Sequence, residues 1–227
     1  MQSALQLARE MGTNDVVISV LTALEGDKNQ SGYMAYMPGL SVGMVEAGGL
    51  FDVLTNLKHS GRVQKIAISG SDGRGWGETR DYPTCAWPGV TWYLQELIGN
   101  RGLGWEDIIP ISAGPQRQSL QETDAMLEQA RNMHVKSVIG VSVEYHFVRQ
   151  MLGCVKWMIR NDHRIKIYFP PSPFDWNKVM LGSQNASMST GRKEADIDWN
   201  KKVPDYQAKG DLATLDEFQE YIKWRDG

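Results

Sequence analysis

The sequence predicts an α/β protein built on a mainly parallel sheet. Three observations lead to that expectation. Short β-branched apolar runs recur along the chain; helix-period segments separate them; and the run Val138–Val141 passes almost directly into a helix start. Strands alternating with helices imply right-handed βαβ units, which gather the strands into one parallel sheet.

Met1–Met11 has helical spacing, with Leu5 and Ala8 apolar, and Gly12-Thr13-Asn14 stops it. Asp15–Leu21 is a near-continuous apolar run and is expected to be a strand covered on both faces. Glu25–Gly39 is expected to be a long loop, although Tyr33, Met34, Tyr36 and Met37 make it too apolar for a free linker. Leu40–Leu57 is expected to be helical, weakened by Gly43 and by Gly48-Gly49. Lys65–Ser69 is a strand that runs into the glycine-rich stretch Gly70–Gly77. Thr91–Ile98 reads as a helix and Ile108–Ser112 as a short strand.

Ser119–Met133 carries the clearest helical pattern, and Ser119-Leu120-Gln121-Glu122 fits a capping box at its start. Lys136–Ser142 is the next strand and Tyr145–Arg160 the helix after it. Ile165–Phe169 is the last strand, stopped by Pro170-Pro171. Pro171–Asp211 is polar and is expected to be irregular, with Trp176 and Trp199 inside it. Leu212–Trp224 closes the chain as an amphipathic helix. The pattern describes a single domain over residues 1–227, with a core at about 15–170 and a C-terminal arm at 171–227.

The 227 residues suffice for one sizeable core, and the formal charge of −3 offers no basic stripe for nucleic acid. Cys85 and Cys154 lack metal-ligand spacing and are expected to be reduced thiols. No apolar run approaches membrane-spanning length and no leader pattern opens the chain, so a cytoplasmic location is expected.

Two constellations could carry chemistry. In the glycine-rich stretch, Gly70, Ser71 and Gly73 would let backbone amides approach a ligand, with Asp72, Arg74, Trp76 and Glu78 nearby. Its spacing matches neither a dinucleotide fingerprint nor a P-loop, so an ordinary loop explains it equally well. The second constellation is Tyr145, His146 and Arg149. Spacings of three and four residues put them on one side of a helix N-terminus, an end that favours anions. His146 could exchange protons near neutral pH, and Arg149 could clamp a carboxylate or phosphate. Spacing alone favours the plainer alternative, a hydrogen-bonded histidine beneath a surface arginine. Glu78 is the better candidate carboxylate, because capping accounts for Ser119 and Glu122 without a ligand. Ser142 follows a strand but lacks a nucleophile elbow. A metal-dependent hydrolase using Asp72, Glu144 and His146 has no recognised ligand spacing.

These segments together resemble the YdcF-like family, which includes SanA and ElyC and whose domain has long carried the label of unknown function. Ser69-Gly70-Ser71 is similar to the family's SGG, and Glu78 stands where members carry a glutamate. Ser119–Glu122 is similar to its TxEN, Val141–Arg149 to its VTxxYHMxRA, and Tyr206–Asp211 to its tails. The chain departs in carrying Leu24-Glu25-Gly26-Asp27 where members have paired glycines. The resemblance implies a Rossmann-like three-layer sandwich with a five-stranded sheet and a small-molecule pocket at its carboxyl edge. Ligand contacts would come from Gly70, Ser71, Asp72, Gly73, Ser119, Glu122, Ser142, Tyr145 and Arg149, and proton transfer from His146 and Glu78. S-adenosylmethionine is the cofactor that the resemblance suggests. The expected function is binding, with or without turnover, of a nucleotide-like or phosphorylated ligand. The alternative is a non-catalytic regulator of envelope metabolism that acts through its aromatic loops and arm.

Overall fold

The computed structural model describes residues 2–69, 90–111, 119–171, 174–181 and 188–227. Gly70, Ser71, Asp72, Gly73 and Glu78 lie outside them, as does Cys85.

Helix α1 (Ala4–Glu10) matches its expected span. The run after it is not a strand but helix α2 (Asp15–Glu25). Asn14 Oδ1 caps α2 by accepting the Val17 amide at 3.0 Å. Val17, Val20, Leu21 and Leu24 are its buried residues, and that spacing is helical. The strand that α2 displaces lies in the expected loop, as β1 (Met34–Met37), whose four residues are all buried.

The next helix divides into α3 (Val42–Ala47) and α4 (Leu50–His59). The break falls at Gly49, whose φ of +55° suits glycine far better than other residues. Then come β2 (Lys65–Ser69), α5 (Val90–Leu94), β3 (Ile108–Ile111), α6 (Ser119–Asn132), β4 (Ser137–Gly140), α7 (Glu144–Arg160) and β5 (Lys166–Tyr168). A π-helical segment, Gln95–Asn100, extends α5.

The arm is not irregular. It contains a hairpin of β6 (Val179–Leu181) and β7 (Met188–Thr190), then α8 (Gly191–Ile197), a π-helical segment (Asp198–Lys202), α9 (Val203–Ala208) and α10 (Leu215–Asp226). Residues 191, 194, 195, 198 and 199 are buried, which is one continuous helical face.

Among the described residues, five strands form one parallel sheet in the order β3-β2-β1-β4-β5. Helices flank it as a Rossmann-like three-layer sandwich. The chain leaves β1 toward β2 on one side, while β4 leads to β5 on the other. The topological switch point therefore lies between β1 and β4, where open α/β sheets hold their ligands. Register puts Tyr36 opposite both Ala67 and Gly140, so β1, β2 and β4 end at one edge.

Gly140, the last residue of β4, lies beneath the Phe169 ring. A Cβ there would lie 2.1 Å from a ring carbon. Gly140→Ala is expected to cost about 1–3 kcal/mol through overpacking, read as a lower urea midpoint. Unchanged stability would mean that the ring is free to move away.

The arm is tied to the sheet by a buried ion pair. Arg225 Nη2 lies 3.0 Å from Asp27 Oδ1, and both side chains are under 3 % exposed. Arg225 Nη1 also donates to the Ile167 carbonyl, and the Phe169 amide donates to Asp27. Burial pushes the Asp27 carboxyl up to about 6 against the pull of Arg225. Cys154 is a free, buried thiol. Among the described residues, no helix is long and apolar enough to cross a membrane.

Candidate functional site at the switch point

Two polar clusters stand at the carboxyl edge of the sheet. The first joins the ends of β1 and β2 to α6. Glu122 is buried, and its Oε1 accepts the Gly39 amide and the Ser69 hydroxyl, each at 3.1 Å. Tyr36 Oη lies 3.1 Å from Ser69 Oγ and donates to the Glu122 carbonyl at 3.2 Å. Gly39 must be glycine for this approach, since a Cβ would meet Glu122 Oε1 at 2.7 Å. The Tyr93 hydroxyl clamps the next residue, accepting the Leu40 amide and donating to its carbonyl.

The Glu122 carboxylate thus turns in toward the strand ends, a role that a capping glutamate alone would not have. Burial and the Glu122 charge push the Tyr36 phenol well above its usual range, so it stays a neutral donor.

The second cluster lies where the first turns of α7 meet the arm. Val143 is the N-cap of α7 and makes no side-chain capping bond. Tyr145, His146 and Arg149 follow on the helix, and all three are buried. The plainer alternative fails in both parts. Arg149 is not a surface residue, and His146 Nε2 has no hydrogen-bond partner.

Arg149 Nε stands 2.9 Å from Asp198 Oδ1, with side-chain exposures of 5 % and 3 %. An anion bound by Arg149 would therefore compete with a carboxylate from the arm. Burial raises the Asp198 pKa, while Arg149 and Lys202 pull it back down. Burial, Arg149 and Lys202 together push His146 well below its usual value, so its imidazole is neutral. Lys202 is itself lowered to about 8, by burial first and by Arg149 next.

Aromatic residues from the arm wall this cluster. Trp199 Nε1 donates to the Tyr145 carbonyl at 3.0 Å, and the Phe174 ring stands 5.8 Å from the Tyr145 ring. Trp176 packs on both Phe174 and Trp199. Trp176 and Trp199 are buried, so neither offers a surface to a partner. Ser142 is buried too, and its hydroxyl accepts from Gln150 Nε2 at 3.3 Å.

The fold thus brings Glu122, Ser142, Tyr145, His146 and Arg149 to one edge of the sheet. Glu194, Asp198 and Lys202 went unnoticed in the sequence reading, as did Tyr36 and Gly39. A signal existed for the first two. Glu194 and Asp198 are four residues apart, in step with Gly191, Ala195 and Trp199, so the acids fall on the apolar face of a helix. Among the described residues, no group of three His, Cys, Asp or Glu side chains is placed to hold a metal ion. The chain matches no protein-family model and no curated protein.

Proposed function

We propose that this is a YdcF-like protein that binds a small nucleotide-like or phosphorylated molecule across the switch point. One observation carries this reading. The ends of β1 and β2, with Ser69, Gly39 and the buried Glu122, share an edge with the start of α7. That edge is where parallel α/β sheets expose helix N-termini and loop amides to anionic ligands. A buried polar network at such a place fixes ligand-facing groups in one geometry.

In this reading the anionic part of the ligand lies toward the strand ends and the stretch that begins at Gly70, not on Arg149, whose charge Asp198 balances. His146 and Glu78 are the proposed proton-transfer groups if turnover occurs. The regulatory alternative keeps less support from the arm, because Trp176 and Trp199 are internal.

Titration calorimetry with S-adenosylmethionine, nucleotides and sugar phosphates tests the proposal. At least one class is expected to bind. Ser69→Ala, which removes one hydroxyl from the network, is expected to weaken that binding about tenfold, the worth of one hydrogen bond. Absence of heat with every class would end this reading.

A further inference from the structure

Among the buried polar atoms without a hydrogen-bond partner are two uncharged ones beside the switch point, Tyr145 Oη and His146 Nε2. Tyr145 is 0 % exposed and His146 4 %. They are consecutive residues whose rings meet edge to face with centroids 4.5 Å apart. A buried polar group without a partner costs about 1–3 kcal/mol, and native proteins seldom leave one without a reason. Here two occur together, in the first turn of a helix of 17 residues that starts at the ligand edge.

The surroundings limit what could satisfy them. Burial first, then Glu194 and Asp198 from the arm, push the Tyr145 phenol well above its usual range, against the smaller pull of Arg149. A further negative charge against that hydroxyl would meet two carboxylates and one cation that Asp198 already balances. On the other side, Arg149 and Lys202 face His146 and hold it neutral. A positive charge against Nε2 would meet two cations. An uncharged group that both donates and accepts satisfies the phenol and the imidazole at no Coulombic cost. A sugar hydroxyl has that property.

We propose that Tyr145 Oη and His146 Nε2 form a recognition subsite for the hydroxyls of a sugar, while the ligand's phosphate lies elsewhere on the edge. This rests on the small-molecule reading above and narrows it to sugar-bearing ligands. The two residues act as binding groups, and Asp198 and Lys202 act through them by fixing the local charge.

The test follows the side-chain nitrogen resonances of His146 in the full chain during titration with ribose 5-phosphate, adenosine and inorganic phosphate. The two sugar-bearing probes are expected to move Nε2 more than Nδ1, and inorganic phosphate to move neither. Tyr145→Phe keeps the ring and removes the hydroxyl. It is expected to weaken ribose 5-phosphate binding about tenfold and to leave inorganic phosphate binding unchanged. The histidine measurement uses the unmodified protein, so a folding defect in the variant cannot hide the answer.

Movement of Nε2 by inorganic phosphate would overturn the subsite. So would sugar binding that is indifferent to Tyr145→Phe, or Ser69-dependent binding with a silent His146, which would leave a trapped water as the only occupant. Binding of no probe or panel member would overturn the small-molecule reading as well.

Discussion

Arg149→Ala is expected to destabilise the protein by about 3–5 kcal/mol, because it takes the ion-pair partner from a buried Asp198 and leaves only the more distant help of Lys202. The pair joins α7 to the arm, so the loss should loosen the arm first. Urea denaturation followed by tryptophan fluorescence reads both effects, since Trp176 and Trp199 are buried in that contact. The double variant Arg149→Met with Asp198→Leu removes both charges and fills the space. It is expected to recover most of the stability, because the large cost lies in the orphaned ion and not in the absence of the pair. A loss below about 1 kcal/mol in the single variant would show that water reaches Asp198. Such a result would also free Arg149 to bind an anion, and the charge argument for the sugar subsite would lose its ground.

The second large effect concerns Asp27 and Arg225. Arg225→Ala is expected to cost about 3–5 kcal/mol for the same reason, with α10 losing its hold on β5. This pair also predicts a pH dependence. Burial is the largest influence on Asp27 and raises it from 3.8 to about 6 in the folded state. The folded state therefore holds the proton more tightly than the unfolded chain does. The stabilisation from that proton is complete below about pH 4 and is lost as pH rises through about 6. At 1.36 kcal/mol per pH unit the change is on the order of 3 kcal/mol. Asp27→Asn cannot ionise, so its stability relative to the parent should rise across that interval. A difference between the two proteins that stays flat from pH 4 to pH 7 would refute the assignment.

The Leu24–Asp27 segment closes α2 and presents Asp27 to β5 and α10. It is not the loop after the first strand, which is Met34–Met37, and packing of the arm accounts for its buried acid.

Local pattern determined much of this protein. The runs expected as strands at Lys65–Ser69, Ile108–Ser112, Lys136–Ser142 and Ile165–Phe169 hold the parallel strands Lys65–Ser69, Ile108–Ile111, Ser137–Gly140 and Lys166–Tyr168. Helices α1, α6, α7 and α10 followed from spacing and caps. The edge that carries Tyr145, His146 and Arg149 followed from a strand passing into a helix.

Tertiary structure decided the rest. Asp15–Leu21 and Met34–Met37 are both apolar runs, and a buried helix cannot be told from a buried strand by hydrophobicity alone. The sheet settled the matter, because only Met34–Met37 lies between β2 and β4 with partners for its backbone on both sides. The charge state of the site was equally nonlocal. Arg149 and Asp198 are 49 residues apart along the chain and 2.9 Å apart in the fold, and Glu122 meets Ser69 and Gly39 across gaps of 53 and 83 residues. Such contacts depend on where helices dock, and residue spacing within one segment carries no record of that. The sequence alone therefore pointed to the edge through Tyr145, His146 and Arg149, and packing brought in Asp198, which already holds Arg149.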